Sequence, residues 1–294
     1  LIKMTTQGLI LRRFAAGLLA IACCAPFLSA QQLRVTYEYK YHPYKNEKFL
    51  NADMNMTLDI EKGRTAFYSE TAFMRDSLGC IAFNDNGETV DQDAYGKLTR
   101  LPRGSCKDYI LIENGNTAQV QLSGGILHLS YSDTYVQPEW TIEEGNYSYR
   151  GYTTHKATCH FMGRDWIAWY TEEIPSSAGP WLLSGLPGLI LKAQDSEKLF
   201  NFSYRYISAI EDTDSRFEQL SSFFIPRPDE RKYFFSGSPK EMGLLYDKIK
   251  NDASLENQLL GIISSKTLNK DGSLSDQAPK EKISIIPVEY WKSK

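Results

Sequence analysis

The sequence predicts a mainly β protein: a strongly curved antiparallel sheet, forming a half-barrel or open barrel, with helices near the C-terminus. Two observations lead to this fold class. Apolar and polar side chains alternate along one segment after another, and turns rich in Gly and Asn separate the segments. Helical spacing joined to a helix-capping motif becomes clear only after residue 237. A β-sandwich is the competing fold.

Strand-like alternation begins early in the chain. Residues 33–41 place Leu, Val and Tyr side chains on one side and Arg, Thr, Glu and Lys on the other, and residues 54–60 repeat the pattern. A polar turn at 61–64 leads into 65–68, which predicts a hairpin. Residues 109–131 are typical of a meander, because Asn-Gly and Gly-Gly separate the alternating stretches. A short helix is predicted near 71–78.

The most distinctive stretch runs from 163 to 191 and holds three of the five Trp residues. Residues 165–171 alternate with apolar side chains on both faces, which predicts a strand covered on both sides. The Pro- and Gly-containing residues from Pro175 to Pro180 predict a loop, since they cannot continue a ladder. Leu186-Pro-Gly-Leu189 then matches a type II turn, in which Gly188 would have a positive φ.

Two more strands follow this turn, over 189–194 and 200–210. After them the pattern changes to a short helix or irregular segment over 212–224. Ser238-Pro-Lys-Glu241 is a capping box with proline at the first helical position, so a helix should begin there. A final strand is predicted at 283–290.

The first 30 residues have the layout of a secretory signal peptide. Three basic residues precede an apolar run over 14–28, and Ser29-Ala30 stands before Gln31. We therefore expect an exported protein that is periplasmic, outer-membrane-associated or secreted. A retained anchor is the alternative interpretation of the apolar run. We otherwise expect membrane attachment only if Cys23 is lipidated.

The sequence divides into three parts. Residues 1–30 form the signal peptide, and 31–211 form an antiparallel β domain. Residues 212–294 are expected to form a helical appendage, a polar linker and a final strand packing on the same domain. Without the signal peptide the chain has 30 Lys and Arg against 36 Asp and Glu, a formal charge of −6. No basic face is visible, so we expect no nucleic-acid partner.

Three cysteines remain after removal of the signal peptide, and an oxidising compartment permits one disulfide among them. Cys80 with Cys106 is the preferred pair, because both lie near polar turns. The two pairings that involve Cys159 stay open.

Several motifs resemble a known family. Gly185-Leu-Pro-Gly-Leu-Ile190 is similar to the signature of the GLPGLI family, secreted proteins of Gram-negative bacteria. Landmarks of the same family pattern stand in order before it: Trp140, Gly151-Tyr152, Lys156-Ala-Thr158, Gly163-Arg164, Ala168-Trp-Tyr-Thr171, Ile174-Pro175 and Gly179-Pro180. The resemblance covers roughly residues 33–210. It implies a secreted protein and no particular activity, since none is established for the family. One departure is His155, where the family commonly has a cysteine nearby.

The sequence contains no recognised catalytic or nucleotide-binding motif. His155, Cys159 and His160 are the best candidates for a metal cluster. On a strand the first two would lie roughly 13 Å apart, too far to share one ion. We therefore predict no metal, no cofactor and no catalytic residue. The alternative is a hydrolase that uses Glu172 or Glu173 as a general acid.

Our leading hypothesis is a non-enzymatic envelope protein that binds an apolar small molecule or an envelope protein near the central stretch. Aromatic side chains beside a Pro/Gly-rich loop can line the mouth of a cavity. The predicted binding residues are Trp166, Trp169, Trp181, Arg164, Leu186 and Pro187. A structural or scaffolding role at the cell envelope is the second hypothesis.

Overall fold

The computed structural model describes residues 32–41, 50–102, 108–124, 127–251, 255, 267–268 and 274–275. The predicted signal peptide, Cys23, Cys106 and the predicted final strand lie outside these residues. One sheet of 13 strands dominates the described part. Its strands are β1 Leu33–Tyr41, β2 Leu50–Glu61, β3 Arg64–Ser69, β4 Tyr109–Glu113, β5 Thr117–Gly124, β6 Leu127–Thr134, β7 Thr141–Ile142, β8 Tyr147–Tyr149, β9 Tyr152–Phe161, β10 Arg164–Thr171, β11 Leu189–Asp195, β12 Phe200–Ala209 and β13 Phe234–Ser236.

The strand order is β13-β6-β5-β4-β3-β2-β1-β12-β11-β10-β9-β7, and β8 also pairs with β9. All neighbours are antiparallel except β13, which runs parallel to β6. The mainly β class is confirmed, and the predicted antiparallel sheet has a parallel pair at this edge. A parallel pairing needs a long connection, and here about a hundred residues separate the two strands. A separate hairpin pairs β14, Thr267–Leu268, with β15, Leu274–Ser275.

The sheet is accompanied by the α-helices α1 Glu70–Ala82, α2 Gln92–Arg100, α3 Phe217–Ser222 and α4 Pro239–Asn251. The capping box at the start of α4 is confirmed. Glu241 accepts a hydrogen bond from the Ser238 amide at 2.9 Å, and the Ser238 hydroxyl accepts one from the Glu241 amide at 3.3 Å. Helix α2 was not predicted, although Asp91 caps it by accepting a bond from Ala94 N at 2.9 Å.

The sheet is covered on both faces by two separate cores. The larger core joins the inward faces of β1, β2, β10, β11 and β12, and α4 adds Met242, Tyr246 and Ile249 to it. The smaller core lies on the other face of β3 and β4, under α1 and α3. At β10, however, the second face is only partly covered. Ile167 and Trp169 are half-buried, so the predicted cover on this second side is only partial.

Candidate functional site

The segment that joins β10 to β11 is a long loop, residues 172–188, which we call the central loop. Backbone hydrogen bonds link parts of the loop to each other and to β11. Gly185 N donates to Ser177 O at 2.8 Å, and Ile190 N donates to Ala178 O at 3.1 Å. These bonds fold the loop back against the larger core and bury the stretch from Ala178 to Leu183. The loop is therefore part of the packed interior.

Gly188 does not form the predicted type II turn. It lacks a positive φ, whereas Gly185, three residues earlier, has a φ of 95°. A Cβ added at Gly188 would lie 2.1 Å from the carbonyl oxygen of Thr171, at the end of β10. Glycine is required here because two backbone segments approach closely, and not because of a left-handed conformation.

Two of the predicted binding residues, Trp166 and Trp181, belong to the core. Their ring centroids lie 5.6 Å apart, and the Trp166 indole donates to Phe161 O at 3.2 Å. Trp181 is only 3 % exposed and has a φ of 57°. That conformation costs a bulky residue on the order of 1–3 kcal/mol. Burial of a side chain as large as an indole offsets this cost.

Trp169 lies on the opposite face of β10 from Trp166, as strand alternation requires. It is half-buried, and the ammonium of Lys192 lies 4.6 Å from its ring centroid. Leu186 is buried, whereas Pro187 is exposed. The predicted binding residues therefore do not form one surface.

Arg164 is buried and has partners within the fold. Its Nη1 lies 3.2 Å from Asp195 Oδ2 and 3.6 Å from Glu197 Oε2, and its guanidinium lies 4.7 Å from the Phe200 ring centroid. Burial raises the pKa of Asp195 even though this carboxylate also accepts hydrogen bonds. These contacts give Arg164 a role in holding β10 to β11 and β12.

The three residues that the sequence offered as metal ligands have other contacts in the structure. On β9, His155 lies against the Tyr170 ring, and Cys159 is buried opposite Trp166. His160 is exposed and contacts Asp165 at 2.7 Å. Within the described ranges, no three His, Cys, Asp or Glu side chains are placed to hold a metal ion.

Glu172 and Glu173 are both exposed at the end of β10. The Glu173 carboxylate accepts a bond from Thr153 N at 2.7 Å, which places it at a strand end and not in a cleft.

Of the preferred cysteine pair, Cys80 is exposed on α1, and Cys106 is outside the described residues, so this disulfide stays a prediction.

A cavity of about 210 Å³ lies where the central loop meets the ends of β2, β3 and β4; we call it the loop cavity. Trp181 is the one predicted binding residue in its wall. The apolar part of the wall comes from Ile60, Ile112, Ala178, Trp181 and Leu183, and the polar part from Glu61, Arg64, Thr65, Tyr135, Gln137, Ser176, Ser177 and Ser184.

Hydrogen bonds fix the far wall of the loop cavity. The Tyr135 hydroxyl lies 2.6 Å from Ser184 Oγ and donates to Leu182 O at 2.9 Å, and burial raises the pKa of Tyr135 to about 12. The indole of Trp140 donates to Ser184 O at 2.7 Å. Tyr135 therefore stays protonated at physiological pH and holds the loop in place.

An ion-pair cluster closes the near side of the cavity. Arg64 contacts Glu61 at 2.8 Å and Glu218 at 2.7 Å, and its guanidinium lies 4.2 Å from the Phe217 ring centroid. Both charges of the cavity wall are thus paired with each other. Sequence reasoning missed Ile60, Arg64 and Tyr135, because they are far from the central loop in the chain and no local pattern links them.

Comparison with protein families finds a match in the region that contains the central loop. A family model described as a protein of unknown function, Porph_ging, matches residues 152–192. No curated protein matches. Among solved structures, two crystal forms of PNGF-II are similar at 14 % identity, with TM-scores of 0.48 and 0.46. Each match covers 75 % of this chain and 34 % of the other, so the chain spans about a third of the length of that protein.

None of the helices in the described residues is both long and apolar enough to cross a bilayer.

Proposed function

We propose that the protein is an exported binding protein that holds the apolar group of a small molecule in the loop cavity. The observation that carries this proposal is the composition of the cavity. Trp181, Leu183 and Ile60 provide apolar wall, while serine hydroxyls stand at its edge. Ligand sites combine apolar lining with placed polar groups that fix orientation, and the loop cavity has both, with polar residues the more numerous in its wall.

The volume sets the size of the bound group. An apolar cavity of about 150 Å³ accommodates benzene. The loop cavity, at about 210 Å³, accommodates a single ring or a short branched chain. Since Arg64 and Glu61 are already paired, neither supplies a free charge to a ligand. The expected ligand is uncharged at the buried end and carries at most a hydroxyl or amide near the serines.

The proposal includes a strongly curved sheet with the loop cavity at its mouth. Phe67 on β3 and Phe202 on β12 have ring centroids 5.8 Å apart, although β2 and β1 separate their strands. In a flat sheet, three strand spacings amount to about 14 Å. The contact supports curvature, and the continuous path of hydrogen-bonded strands favours a half-barrel over two stacked sheets.

Export through the predicted signal peptide is also part of the proposal. N-terminal sequencing of protein from its own host should find a mature chain that begins at Gln31. An acylated Cys23 would instead place the protein on a membrane, and an intact leader would contradict export.

The first test is intact-mass spectrometry of the exported protein under native and denaturing conditions. A small-molecule mass present only under native conditions would support the proposal and identify the ligand class. A second protein chain in the native spectrum would instead favour an envelope partner.

A designed variant then tests the site directly. Ser177 is exposed at the cavity edge, and its backbone carbonyl accepts a hydrogen bond from Gly185 N. The side chain has no hydrogen bond within the described part of the chain, so Ser177→Trp should fill the cavity without disturbing the core. The matched control is Ser132→Trp, at an exposed position on β6 away from the cavity. With benzyl alcohol as probe, amide chemical shifts should change around Gly179 and Ser184 in the parent and control. In Ser177→Trp they should not. Equal shifts in both variants, or none in the parent, would refute the site.

A scaffolding role in the envelope is the second candidate. It is favoured by the burial of Arg164, Trp166 and Leu186 and by the close approach at Gly188, which together make the central loop a folding element. Under this alternative, Ser177→Trp would leave the role of the protein in the envelope unchanged. Gly188→Ala, which destabilises the fold, would abolish that role.

A further inference from the structure

A second and larger cavity lies on the other face of the sheet. Its volume is about 600 Å³, and α1, the strands β5 and β6, and the segment from Ser222 to Phe234 enclose it. We call it the α1 cavity. It is distinct from the loop cavity, because the two have no lining residue in common.

The strands β4, β5 and β6 give the α1 cavity a polar floor. Tyr109 pairs with Gln121 across β4 and β5, and both point away from the larger core. The Tyr109 hydroxyl donates to the Asp76 carboxylate, and Gln121 Nε2 lies 3.2 Å from His128 Nδ1. The bond from Tyr109 to Asp76 links α1 to the sheet, and the Gln121–His128 pair lies on the neighbouring strands.

Gln121 is the unusual member of this row. It is 1 % exposed, and its Oε1 has no hydrogen-bond partner among the described residues. A buried acceptor without a partner destabilises the fold, because it loses its hydrogen bond to water and gains none in return. Such a group calls for an explanation, and a donor on a bound molecule is one.

Most hydrogen bonds of the two cationic side chains in the cavity go to groups of the protein. Arg75 donates to the carbonyl oxygens of Leu98 and Leu101 at 3.2 and 3.1 Å. Arg227 donates to Gly79 O at 3.1 Å and to Glu230 at 2.6 Å, while its buried Nε has no hydrogen-bond partner among the described residues and lies 3.5 Å from Asp229 Oδ1. Three carboxylates, of Asp76, Asp85 and Glu230, line the same cavity, so acidic side chains outnumber the two basic ones.

Aromatic rings form the sides of the α1 cavity. Phe234 stacks on His128 with ring centroids 4.5 Å apart, and Phe223 packs on Tyr109 at 5.7 Å. Aromatic faces attract organic cations, and carboxylate and amide oxygens accept from an ammonium group.

We propose that the α1 cavity is a binding site for a primary ammonium group attached to an apolar body, held by the Asp76 carboxylate and the Gln121 amide between aromatic walls. The ammonium supplies three donors to a cavity that has surplus acceptors. A carboxylate or phosphate ligand would face the carboxylates of Asp76, Asp85 and Glu230 against two guanidinium groups, so the net negative charge of the lining disfavours it. The ammonium group comes either from a small amine or from a lysine side chain of a protein.

Benzylamine is the probe, with benzyl alcohol as its uncharged analogue and phenylacetate as its anionic counterpart. We expect benzylamine to bind roughly tenfold or more tightly than benzyl alcohol, because bonds to charged groups are worth about 1.5–3 kcal/mol. Amide shifts should appear near Gly79 and His128. Phenylacetate should not bind. If the alcohol binds as tightly as the amine, or if no probe shifts these residues, the proposal is wrong.

Asp76→Asn is the decisive variant, because asparagine still accepts the bond from Tyr109 and lacks the charge. It should remove the preference for the amine and leave benzyl alcohol unaffected. Asp133→Asn, at an exposed position on β6, is the matched control and should bind like the parent. Ser177→Trp at the loop cavity should also leave benzylamine binding intact, so this test fails or succeeds independently of the proposed function.

A third variant tests the amide. Gln121→Leu removes the buried acceptor and should weaken benzylamine binding without loss of thermal stability. Unchanged affinity would remove Gln121 from the site. Displacement of benzylamine by a lysine-containing peptide would support a protein source of the ammonium, and displacement by small alkylamines alone would support a free amine.

Discussion

Replacing Gly188 with alanine should destabilise the protein by about 3 kcal/mol or more. The new Cβ would lie 2.1 Å from Thr171 O and 2.8 Å from Glu172 N. Both are backbone atoms, and Thr171 is held opposite Leu189 in the β10–β11 ladder, so neither can move without breaking that pairing. Overpacking typically costs about 1–3 kcal/mol, and so short a contact with fixed backbone belongs at the top of this range or above it.

Thermal unfolding followed by circular dichroism provides the assay. A protein of this size loses about 2–4 °C of Tm for each kcal/mol, so Gly188→Ala should lower Tm by about 6–12 °C. Gly96→Ala is the matched control. Gly96 lies in α2 with an ordinary φ and open space around its Cβ position. That substitution should be neutral or stabilise the protein by roughly 0.5–1 kcal/mol.

Substitution by asparagine distinguishes two reasons for glycine at position 188: the close approach of another backbone segment and the geometry of a left-handed turn. Asparagine tolerates a positive φ better than other side chains, so it would be preferred over alanine if a left-handed turn were the reason for glycine. That preference is expected at Gly115, which has a φ of 65° and no heavy atom within 4 Å of its Cβ position. At Gly188, asparagine should be no better than alanine. A stable Gly188→Ala, or a clear advantage of Gly188→Asn, would refute the reasoning.

Three further predictions concern buried and paired groups. Tyr37→Phe removes the 2.7 Å bond from the buried Tyr37 hydroxyl to Ile190 O and should cost about 1–3 kcal/mol in urea unfolding; an unchanged midpoint would mean that the carbonyl finds another donor. Burial raises the pKa of the Cys159 thiol to about 12, so iodoacetamide at pH 8 should label Cys159 only after unfolding, and labelling of the native protein would contradict its burial. The hydrogen bond from Arg205 lowers the pKa of Glu38 below its usual 4.5, so the Glu38 carboxylate adds stability above that pH and loses it as the pH falls through the lowered pKa. The stability advantage over Glu38→Gln should therefore be constant from about pH 6 to 8, amount to about 1 kcal/mol or less, and vanish in acid; an advantage that grows on acidification would have the wrong sign.

Local patterns were sufficient where a strand or cap is defined by neighbouring residues. Alternation over 33–41 and 200–210 predicted β1 and β12, the second of which ends one residue earlier, and the capping box predicted the start of α4. These signals depend on side chains that are close in the chain and on the period of the element. Burial follows the alternation from Phe200 to Tyr204, whereas Tyr206, on the same side of β12, is exposed.

Other features depend on residues that are far apart in the chain. The parallel pairing of β13 with β6 is fixed by tertiary packing, and a three-residue strand has no sequence period of its own. Gly188 was predicted as a turn glycine because Pro-Gly is a strong turn signal, whereas the approach of Thr171 is invisible in the sequence. The loop cavity likewise combines Ile60, Tyr135 and Trp181, and their meeting could not be predicted from any one segment.

The central loop contributes to the stability of the fold and also lines the loop cavity, so stability and binding must be tested at different residues. Connections this long are usually exposed, but the middle of this one is buried, with Trp181 and Leu183 in the larger core. Ordering such a loop costs conformational entropy, and burial of these side chains must offset that cost. The residues that shape the loop cavity are therefore the same residues that stabilise the fold, so truncating them would unfold the protein before it revealed any loss of binding. Only positions at the edge, such as Ser177 and Gln137, line the cavity while remaining exposed, and only there can binding be changed with the fold left intact.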